Sequence, residues 1–207
     1  MRTLRFGIVT SVLFAAAAFG PAARAQDTHF KVYFGPAYVA PMSDSSVTFG
    51  SIEDTVEAED QVGWNVGIEG RFNSWIGLEL DYVNANQDVT FAGSTIGDAT
   101  FSPLTATFDI HVVHTKVVDL YLGPSYTYVN WGDIHLNANG GSVTGSSEIG
   151  TDSANSWGLS LGLDIGLGKH FAIQGGVKYL NVDLKMESGE SASVDPLMAR
   201  LGVAFRF

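Results

Sequence analysis

The chain has 207 residues, with 11 Lys or Arg against 22 Asp or Glu, a formal net charge of −11 and no Cys. The acidic balance argues against nucleic acid as a partner, because a polyanion needs basic surfaces, and the lack of Cys excludes disulfides. No stretch after residue 25 has 18 consecutive apolar residues, so we expect no membrane helix. Alternating apolar residues can still cross a membrane as a β-barrel.

Residues 1–25 have the pattern of a secretory signal peptide. Arg2 and Arg5 precede an apolar run over residues 6–19, and an Ala-Arg-Ala sequence occupies residues 23–25. A charged segment, a short apolar segment and a small-residue site are the three parts of such a signal. We therefore expect cleavage after residue 25 and one domain over residues 26–207. The alternative, a membrane anchor, needs a longer apolar run.

Eight later segments alternate apolar and polar residues with the period of two that a β-strand requires. In chain order they lie near residues 29–40, 62–72, 75–91, 100–112, 117–131, 154–168, 171–186 and 197–207. Representative pairs from their apolar sets are, in the same order, Phe34 and Tyr38, Trp64 and Ile68, Leu78 and Leu80, Phe108 and Ile110, Leu120 and Leu122, Leu159 and Leu161, Ile173 and Val177, Val203 and Phe205.

The connections alternate between tight turns and long polar loops. Short turns fall at residues 73–74, 113–116 and 169–170, and long loops at residues 41–60, 92–98, 132–152 and 187–192. This is the outer-membrane pattern, and a sheet in hydrocarbon must close on itself to satisfy its edges. We predict an all-β fold, an eight-stranded antiparallel transmembrane β-barrel in the cell outer membrane, with both termini periplasmic. The alternative, a soluble β-sandwich, fits less well because the outward set is so uniformly apolar.

The polar face collects ionisable residues in its periplasmic half. They are Lys31, Glu69, Arg71, Glu79, Asp81, Asp109, His111, Asp119, Asp164, Lys178, Arg200 and Arg206. Burial of unpaired charges is costly, so these groups must pair with one another or with water. We favour a salt-bridge plug that forms the floor of the lumen, and the alternative is a path for ions or protons.

The upper lumen differs from this floor. On the seventh strand the polar-face set continues as Leu180, Val182, Leu184 and Met186. Either a bulge flips the alternation there, or the upper interior is apolar and suits a small apolar ligand. These observations make Leu180, Val182 and Leu184 candidate ligand-lining residues.

Prolines interrupt several strands, and each removes one hydrogen bond of the sheet. Pro36 and Pro196 fall on the first and last strands, which are neighbours in a closed barrel. We therefore consider a lateral opening at Pro36 and Pro196, with two harmless prolines as the alternative.

Enzymatic activity is not expected. The five His residues show no metal-ligand spacing, and a lone lumen histidine such as His111 beside carboxylates is more often structural than catalytic. We predict no catalytic residue, no metal and no cofactor. The six acids of residues 41–60 could bind divalent cations near lipopolysaccharide phosphates, but a solvated loop is the simpler interpretation.

Several segments together resemble the OmpW family of small outer-membrane barrels, which includes the alkane-uptake protein AlkL. They are Asn-Ser-Trp-Ile-Gly-Leu-Glu-Leu at 73–80, Leu-Tyr-Leu-Gly-Pro-Ser-Tyr-Thr-Tyr at 120–128, Ser-Trp-Gly at 156–158, Tyr-Leu-Asn-Val-Asp at 179–183, Asp-Pro-Leu at 195–197 and Gly-Val-Ala-Phe-Arg-Phe at 202–207. They occur in the family's order and cover nearly all of the predicted barrel.

This resemblance implies an apolar gorge in the outer half of the barrel, closed toward the periplasm. Small hydrophobic molecules would enter from outside and leave sideways into the membrane. The resemblance also makes Trp157 a candidate lining residue, although the alternation of its strand places Trp157 outward, so that only a bulge would reconcile the two.

The function we expect is a passive outer-membrane channel for uptake of small hydrophobic molecules. The alternative is a structural or adhesive barrel with a plugged lumen, acting through its extracellular loops. The expected partners are outer-membrane lipid and lipopolysaccharide, small hydrophobic ligands, and the barrel-assembly machinery through the C-terminal Phe207.

Overall fold

The computed structural model describes residues 30–42, 45–49, 52–58, 60–91, 94–115, 117–132, 134–136, 148–149, 151–186, 191–193 and 195–207. Eight strands form the barrel wall. They are β1 Phe30–Ala40, β2 Gln61–Arg71, β3 Ile76–Phe91, β4 Ser94–His114, β5 Val118–Trp131, β6 Ala154–Gly166, β7 Phe171–Asn181 and β8 Leu197–Arg206. The predicted signal peptide lies outside the described residues.

The eight strands close into an antiparallel barrel. Each strand pairs with the next in sequence, and β8 returns to pair with β1, beginning with Lys31 opposite Arg206. Closure leaves these strands without a free sheet edge. This matters in a membrane, because hydrocarbon cannot hydrogen-bond the backbone groups of an open edge. The predicted fold class, an eight-stranded antiparallel β-barrel, is confirmed. Among the described residues, no helix is long and apolar enough to span a membrane.

Successive side chains along each strand alternate between an exposed, apolar outer face and a buried inner face. On β6, Leu159 is 67% exposed and its neighbour Ser160 is 5% exposed. The same alternation continues through the strand. An apolar exterior with a mixed interior is the expected arrangement for a barrel that faces lipid.

Aromatic side chains gather at both ends of the wall. At the end with the short turns, which we call the turn end, Phe205 contacts both Phe171 and Phe207, with ring centroids 5.2 and 4.9 Å apart. Toward the opposite, loop end, Trp64 packs against Tyr82 at 5.5 Å. These two groups match the interfacial girdles of membrane barrels.

Several strands continue at the loop end as shorter pairings. The shorter strands are Ser45–Phe49, Ile52–Ala58, Ile134–Leu136, Glu148–Ile149, Thr151–Asp152, Asp183–Met186 and Ser191–Ser193. The first two of these form a hairpin within the acidic segment 41–60.

Two inward tyrosines lie flat over glycines of the neighbouring strand. A Cβ added to Gly67 would lie 2.2 Å from the ring of Tyr33, and one added to Gly162 would lie 2.2 Å from the ring of Tyr121. Only glycine leaves room for these rings, because an eight-stranded lumen is just wide enough for side chains to fill.

Candidate functional site: the barrel lumen

The lumen nearest the turn end is filled by ion pairs. Arg71 donates to Glu69 at 2.7 Å and also contacts Asp119, whose carboxylate lies 2.9 Å from Nδ1 of His111. All four side chains are buried. Each charge therefore has an opposite charge or a hydrogen-bond partner in place of water, which buried charges require.

Lys31 forms the centre of the network. Its ammonium group lies 2.5 Å from Glu69 and 2.9 Å from Asp164. The hydroxyl of Tyr121 lies 3.3 Å from both Lys31 and Asp164. Because these residues come from β1, β2, β5 and β6, the contacts join opposite sides of the wall.

A second group of charges lies further from the turn end. Arg200 donates to both oxygens of Glu79, at 2.8 and 2.9 Å, and to the hydroxyl of Tyr33 at 2.6 Å. Lys178 contacts Asp81 and lies 3.6 Å from Glu79. The structure thus brings the predicted charges together in one network. We call it the ionic floor, with these members: Lys31, Glu69, Arg71, Glu79, Asp81, Asp109, His111, Asp119, Asp164, Lys178, Arg200 and Arg206.

Asp109 differs from the other carboxylates of the ionic floor. It is fully buried, and among the described residues neither of its carboxylate oxygens has a hydrogen-bond partner. Oxygens of Asp109, Glu69 and Glu79 lie within 4.8 Å of one another. Two of these three carboxylates have cationic partners, since Glu69 faces Lys31 and Glu79 faces Arg200.

Neutral polar residues lie above the ionic floor, followed by an apolar layer. Thr105 and Thr127 hydrogen-bond across the β4–β5 pair at 3.0 Å. Beyond them, a buried apolar cluster draws residues from nearly every strand. This apolar layer consists of Ala37, Val39, Val83, Ala85, Phe101, Val129, Ala154, Leu180, Val182 and Met198.

Side chains of the apolar layer fill the space that they enclose. Phe101, Val39, Val129 and Leu180 are each 0% exposed, so no water-sized space adjoins them. The centre of the apolar layer is therefore packed around these four side chains. An apolar molecule could enter the layer only by displacing these side chains, which offer it dispersion contacts but no hydrogen bonds.

The alternation does not flip on β7. Leu180 and Val182 are both buried in the apolar layer, and Asn181 between them is exposed. The upper interior is therefore apolar at these positions, without a bulge. Leu184 belongs to a described strand, but its side chain lies outside the described residues.

Trp157 does not line the lumen, contrary to what the family resemblance implied. It is 69% exposed on the outer face of β6, where it packs against Tyr126 with ring centroids 4.8 Å apart. The alternation of β6 continues through Ser156 and Gly158 without a bulge, so the side chain faces lipid.

The wall is interrupted at Pro36 but not in the way the sequence suggested. The β1–β8 pairing skips Gly35–Gly202 and Pro36–Leu201 and resumes at Ala37–Arg200. Pro36 faces β8, because Phe207 donates to the carbonyl of Phe30 and alternate residues of a strand face the same neighbour. The missing proline N–H explains the skipped pairs.

Pro196 does not take part in this interruption, and the pairing of the two prolines in one opening was wrong. Its carbonyl accepts a hydrogen bond from Leu180 on β7 at 3.1 Å, while the following residue, Leu197, pairs with Ala40 on β1. Pro196 therefore precedes β8 at the loop end, on the side of β7, whereas Pro36 lies in the middle of β1.

A further interruption adjoins the apolar layer and was not singled out in the sequence. The β3–β4 pairing skips Val83–Pro103 and Asn84–Ser102, then resumes at Ala85–Phe101. Val83, Ala85 and Phe101 all belong to the apolar layer. We call this interruption the first seam. The sequence shows Pro103 within a strand, but only the register shows that its nitrogen points toward β3.

The side chains of Asn84 and Ser102 bridge the first seam. The amide nitrogen of Asn84 donates to the hydroxyl of Ser102 at 2.9 Å. Both residues alternate with inward neighbours, so this bridge lies on the outer side of the wall. One side-chain hydrogen bond thus spans a place where the backbone ladder is incomplete.

Known proteins agree with this architecture. The family model described as outer membrane protein beta-barrel domain matches residues 10–207, so the chain belongs to this family and is an outer-membrane protein. The barrel is similar to the crystal structure of the outer membrane protein OprG from Pseudomonas aeruginosa. That match has a TM-score of 0.79 at 20% identity and covers 88% of this chain and 97% of the other.

Two further solved structures share the fold. One is the solid-state NMR structure of the outer membrane protein AlkL, with a TM-score of 0.62, 17% identity and coverage of 88% of this chain and 90% of the other. The second is Neisserial surface protein A, with a TM-score of 0.55, 13% identity and coverage of 86% and 95%. No curated protein matches the sequence. OprG and AlkL confirm the predicted OmpW-like resemblance at the level of the fold.

Proposed function

We propose that this barrel passes small hydrophobic molecules from the cell exterior into the outer membrane. In this proposal the loop end faces outward and both termini lie in the periplasm. The solute enters the apolar layer, cannot cross the ionic floor, and leaves sideways through the wall. The observation that carries the proposal is the position of the first seam directly beside the apolar layer.

The apolar layer supports this proposal because it departs from the usual pattern of membrane barrels. Such barrels generally alternate an apolar exterior with a polar interior. Here Val39, Phe101 and Leu180 face inward and are buried. A local departure from a pattern that the rest of the chain obeys is expected where function requires it.

The ionic floor supports the sideways route. A polar or charged solute that followed the lumen would have to separate contacts such as Lys31–Glu69 and Arg200–Glu79. Breaking a buried ion pair costs about 3–5 kcal/mol, and these pairs share partners. The first seam needs less disruption, since its backbone ladder is already incomplete.

The experiment that tests the proposal compares two substitutions at one position. Leu180→Ala removes apolar bulk from the layer, whereas Leu180→Asp places a carboxylate in it. In cells that lack the wild-type gene, we expect uptake of labelled octane to be kept or raised by the first variant and strongly reduced by the second. Heat-dependent mobility on gels would verify that both variants are folded. Equal uptake by the two folded variants would contradict the proposal.

A second candidate function is a structural or adhesive barrel, and the packed lumen favours it. Val39, Phe101, Val129 and Leu180 of the apolar layer are 0% exposed, and every described member of the layer is buried. If octane uptake is the same with and without the folded protein, this second function accounts better for the barrel.

A further inference from the structure

The wall contains a second interruption that shares the proline and the asparagine bridge of the first seam. On β7 and β8, the pairing runs as far as Tyr179–Leu197 and resumes in the same register at Asp183–Ser193. It skips Leu180–Pro196 and Asn181–Asp195, and the register position opposite Val182 lies outside the described residues. We call this interruption the second seam. As at Pro103, the proline that faces the neighbouring strand has no N–H to offer.

A side-chain bridge also crosses the second seam. The amide nitrogen of Asn181 donates to the carboxylate of Asp195 at 2.9 Å, and the backbone N–H of Val182 donates to the same oxygen at 3.0 Å. The first seam has the Asn84–Ser102 bridge in the same place. Each bridge is thus an asparagine amide that donates to the residue directly before the proline.

The correspondence extends to the strands around the seams. Tyr-Val-Asn at 82–84 matches Tyr-Leu-Asn at 179–181, and Ser-Pro-Leu at 102–104 matches Asp-Pro-Leu at 195–197. Earlier in the chain, Tyr-Phe-Gly-Pro-Ala-Tyr at 33–38 matches Tyr-Leu-Gly-Pro-Ser-Tyr at 121–126. Strands β1–β4 and strands β5–β8 therefore share these three short motifs in the same order.

Pairings outside the seams follow the same relation. Tyr33 lies opposite Gly67 as Tyr121 lies opposite Gly162. The ladder skips the Gly-Pro pair at 35–36 against β8, and it skips the Gly-Pro pair at 123–124 against β4. The register of β6 with β7 differs from that of β2 with β3 by two residues, which leaves the facing of every side chain unchanged.

Both seams adjoin the same apolar layer from opposite sides of the barrel. Val83 borders the first seam, and Leu180 and Met198 border the second, all three being buried in the one cluster. Tyr82 and Tyr179 face outward two residues before the bridging asparagines. Outward tyrosines mark the interfacial region, so both seams lie near one membrane boundary.

We propose that the second seam is a second lateral exit for the same small hydrophobic molecules, closed by the Asn181–Asp195 bridge. This inference rests on the proposed function, because it supplies another route out of the apolar layer. A solute in the layer reaches either seam without crossing the ionic floor, and the two exits deliver it to opposite sides of the barrel.

Disulfides across each seam test the inference, since the chain has no native Cys. At the first seam the bridging residues are non-hydrogen-bonded partners, for which antiparallel Cα atoms lie about 4.5 Å apart, within disulfide range. At the second seam Asp195 lies before β8 with a φ of 39°, and the lock there follows the 2.9 Å contact between the two side chains. The first lock is Asn84→Cys with Ser102→Cys, and the second is Asn181→Cys with Asp195→Cys. The matched control is Val177→Cys with Ala199→Cys, an outward pair that has the geometry of the first lock and lies in the intact β7–β8 ladder.

We expect either lock alone, when oxidised, to lower octane uptake by about half, and both locks together to abolish it. Reduction should restore uptake, and the control disulfide should leave it unchanged. If the first lock alone abolishes uptake and the second has no effect, the second exit is refuted while the proposed function stands. If the doubly locked protein transports as fast as the reduced protein, both side exits are refuted. If the wild-type protein gives no uptake at all, the proposed function fails and this inference fails with it.

Discussion

From the contacts of the ionic floor, we predict that removing the charge of Glu79 and removing the charge of Asp109 have different effects on the stability of the barrel. Glu79 accepts two hydrogen bonds from Arg200, at 2.8 and 2.9 Å, and lies 3.6 Å from Lys178. Glu79→Gln keeps the shape of the side chain but removes the charge. Arg200 and Lys178 would then share Asp81 as their remaining carboxylate neighbour.

We expect Glu79→Gln to lower the free energy of unfolding by about 3–5 kcal/mol, the usual cost of removing one partner from a buried ion pair. Asp109→Asn is the matched control, because Asp109 is equally buried and has no hydrogen-bond partner among the described residues. Its carboxylate oxygens approach those of Glu69 and Glu79. Loss of that carboxylate should leave the stability unchanged or raise it.

The assay is urea unfolding in lipid vesicles, followed by tryptophan fluorescence and by gel mobility of the folded barrel. We predict that the free energies of unfolding of the two variants differ by at least about 3 kcal/mol. That difference corresponds to more than about a hundredfold in the equilibrium constant for unfolding. Equal losses for Glu79→Gln and Asp109→Asn would refute the reasoning. They would mean that the ion pairs of the floor do not determine its stability.

Three further predictions concern the wall. Gly67→Ala should destabilise the barrel by about 1–3 kcal/mol, because the new Cβ would lie 2.2 Å from the ring of Tyr33. Gly70→Ala is the control and should be tolerated, because no atom lies within 4 Å of its new Cβ. Urea unfolding measures the stability of both variants. Trp157→Ala, on the outer face, should leave octane uptake unchanged when corrected for protein abundance, and a large loss would return Trp157 to the route. Phe207→Ala should lower the amount of folded protein in outer-membrane fractions, and unchanged abundance would argue against a role of the C-terminal aromatic in assembly.

The eight strands could be predicted from sequence because lipid imposes one simple rule on every outward side chain. The strict alternation of Leu159, Leu161 and Leu163 on β6 needs no knowledge of neighbouring strands. The same rule placed Trp157 outward correctly, whereas the family resemblance suggested the lumen. Local pattern was the better guide there, because a lining position would have required a bulge that the strand does not contain.

The seams could not be predicted, because they depend on register. A strand proline interrupts the hydrogen-bond ladder with the neighbouring strand toward which its nitrogen points. That direction is fixed by the register of the strand with both of its neighbours. Pro36 and Pro196 looked like partners because their strands adjoin, yet they interrupt different pairs. The bridges of Asn84 and Asn181 likewise join residues 18 and 14 positions apart in sequence.

Partner choice within the ionic floor was also beyond the sequence. All of its charged residues were visible on the inward face, but a list of inward charges does not say which one lacks a partner. Glu69 and Glu79 pair with Lys31 and Arg200, whereas the carboxylate oxygens of Asp109 have no hydrogen-bond partner among the described residues. Only the three-dimensional arrangement distinguishes Asp109 from the paired carboxylates.

In the proposed function, the barrel admits apolar solutes to the membrane and excludes polar ones. The most direct test measures two initial rates in cells lacking the gene, with and without its restoration: uptake of labelled octane and entry of a small labelled sugar. The proposed function predicts that restoration speeds octane uptake and leaves sugar entry unchanged, because the apolar layer accepts one solute and the ionic floor stops the other. Unchanged octane uptake, or faster sugar entry, with the barrel folded in the outer membrane, would contradict it.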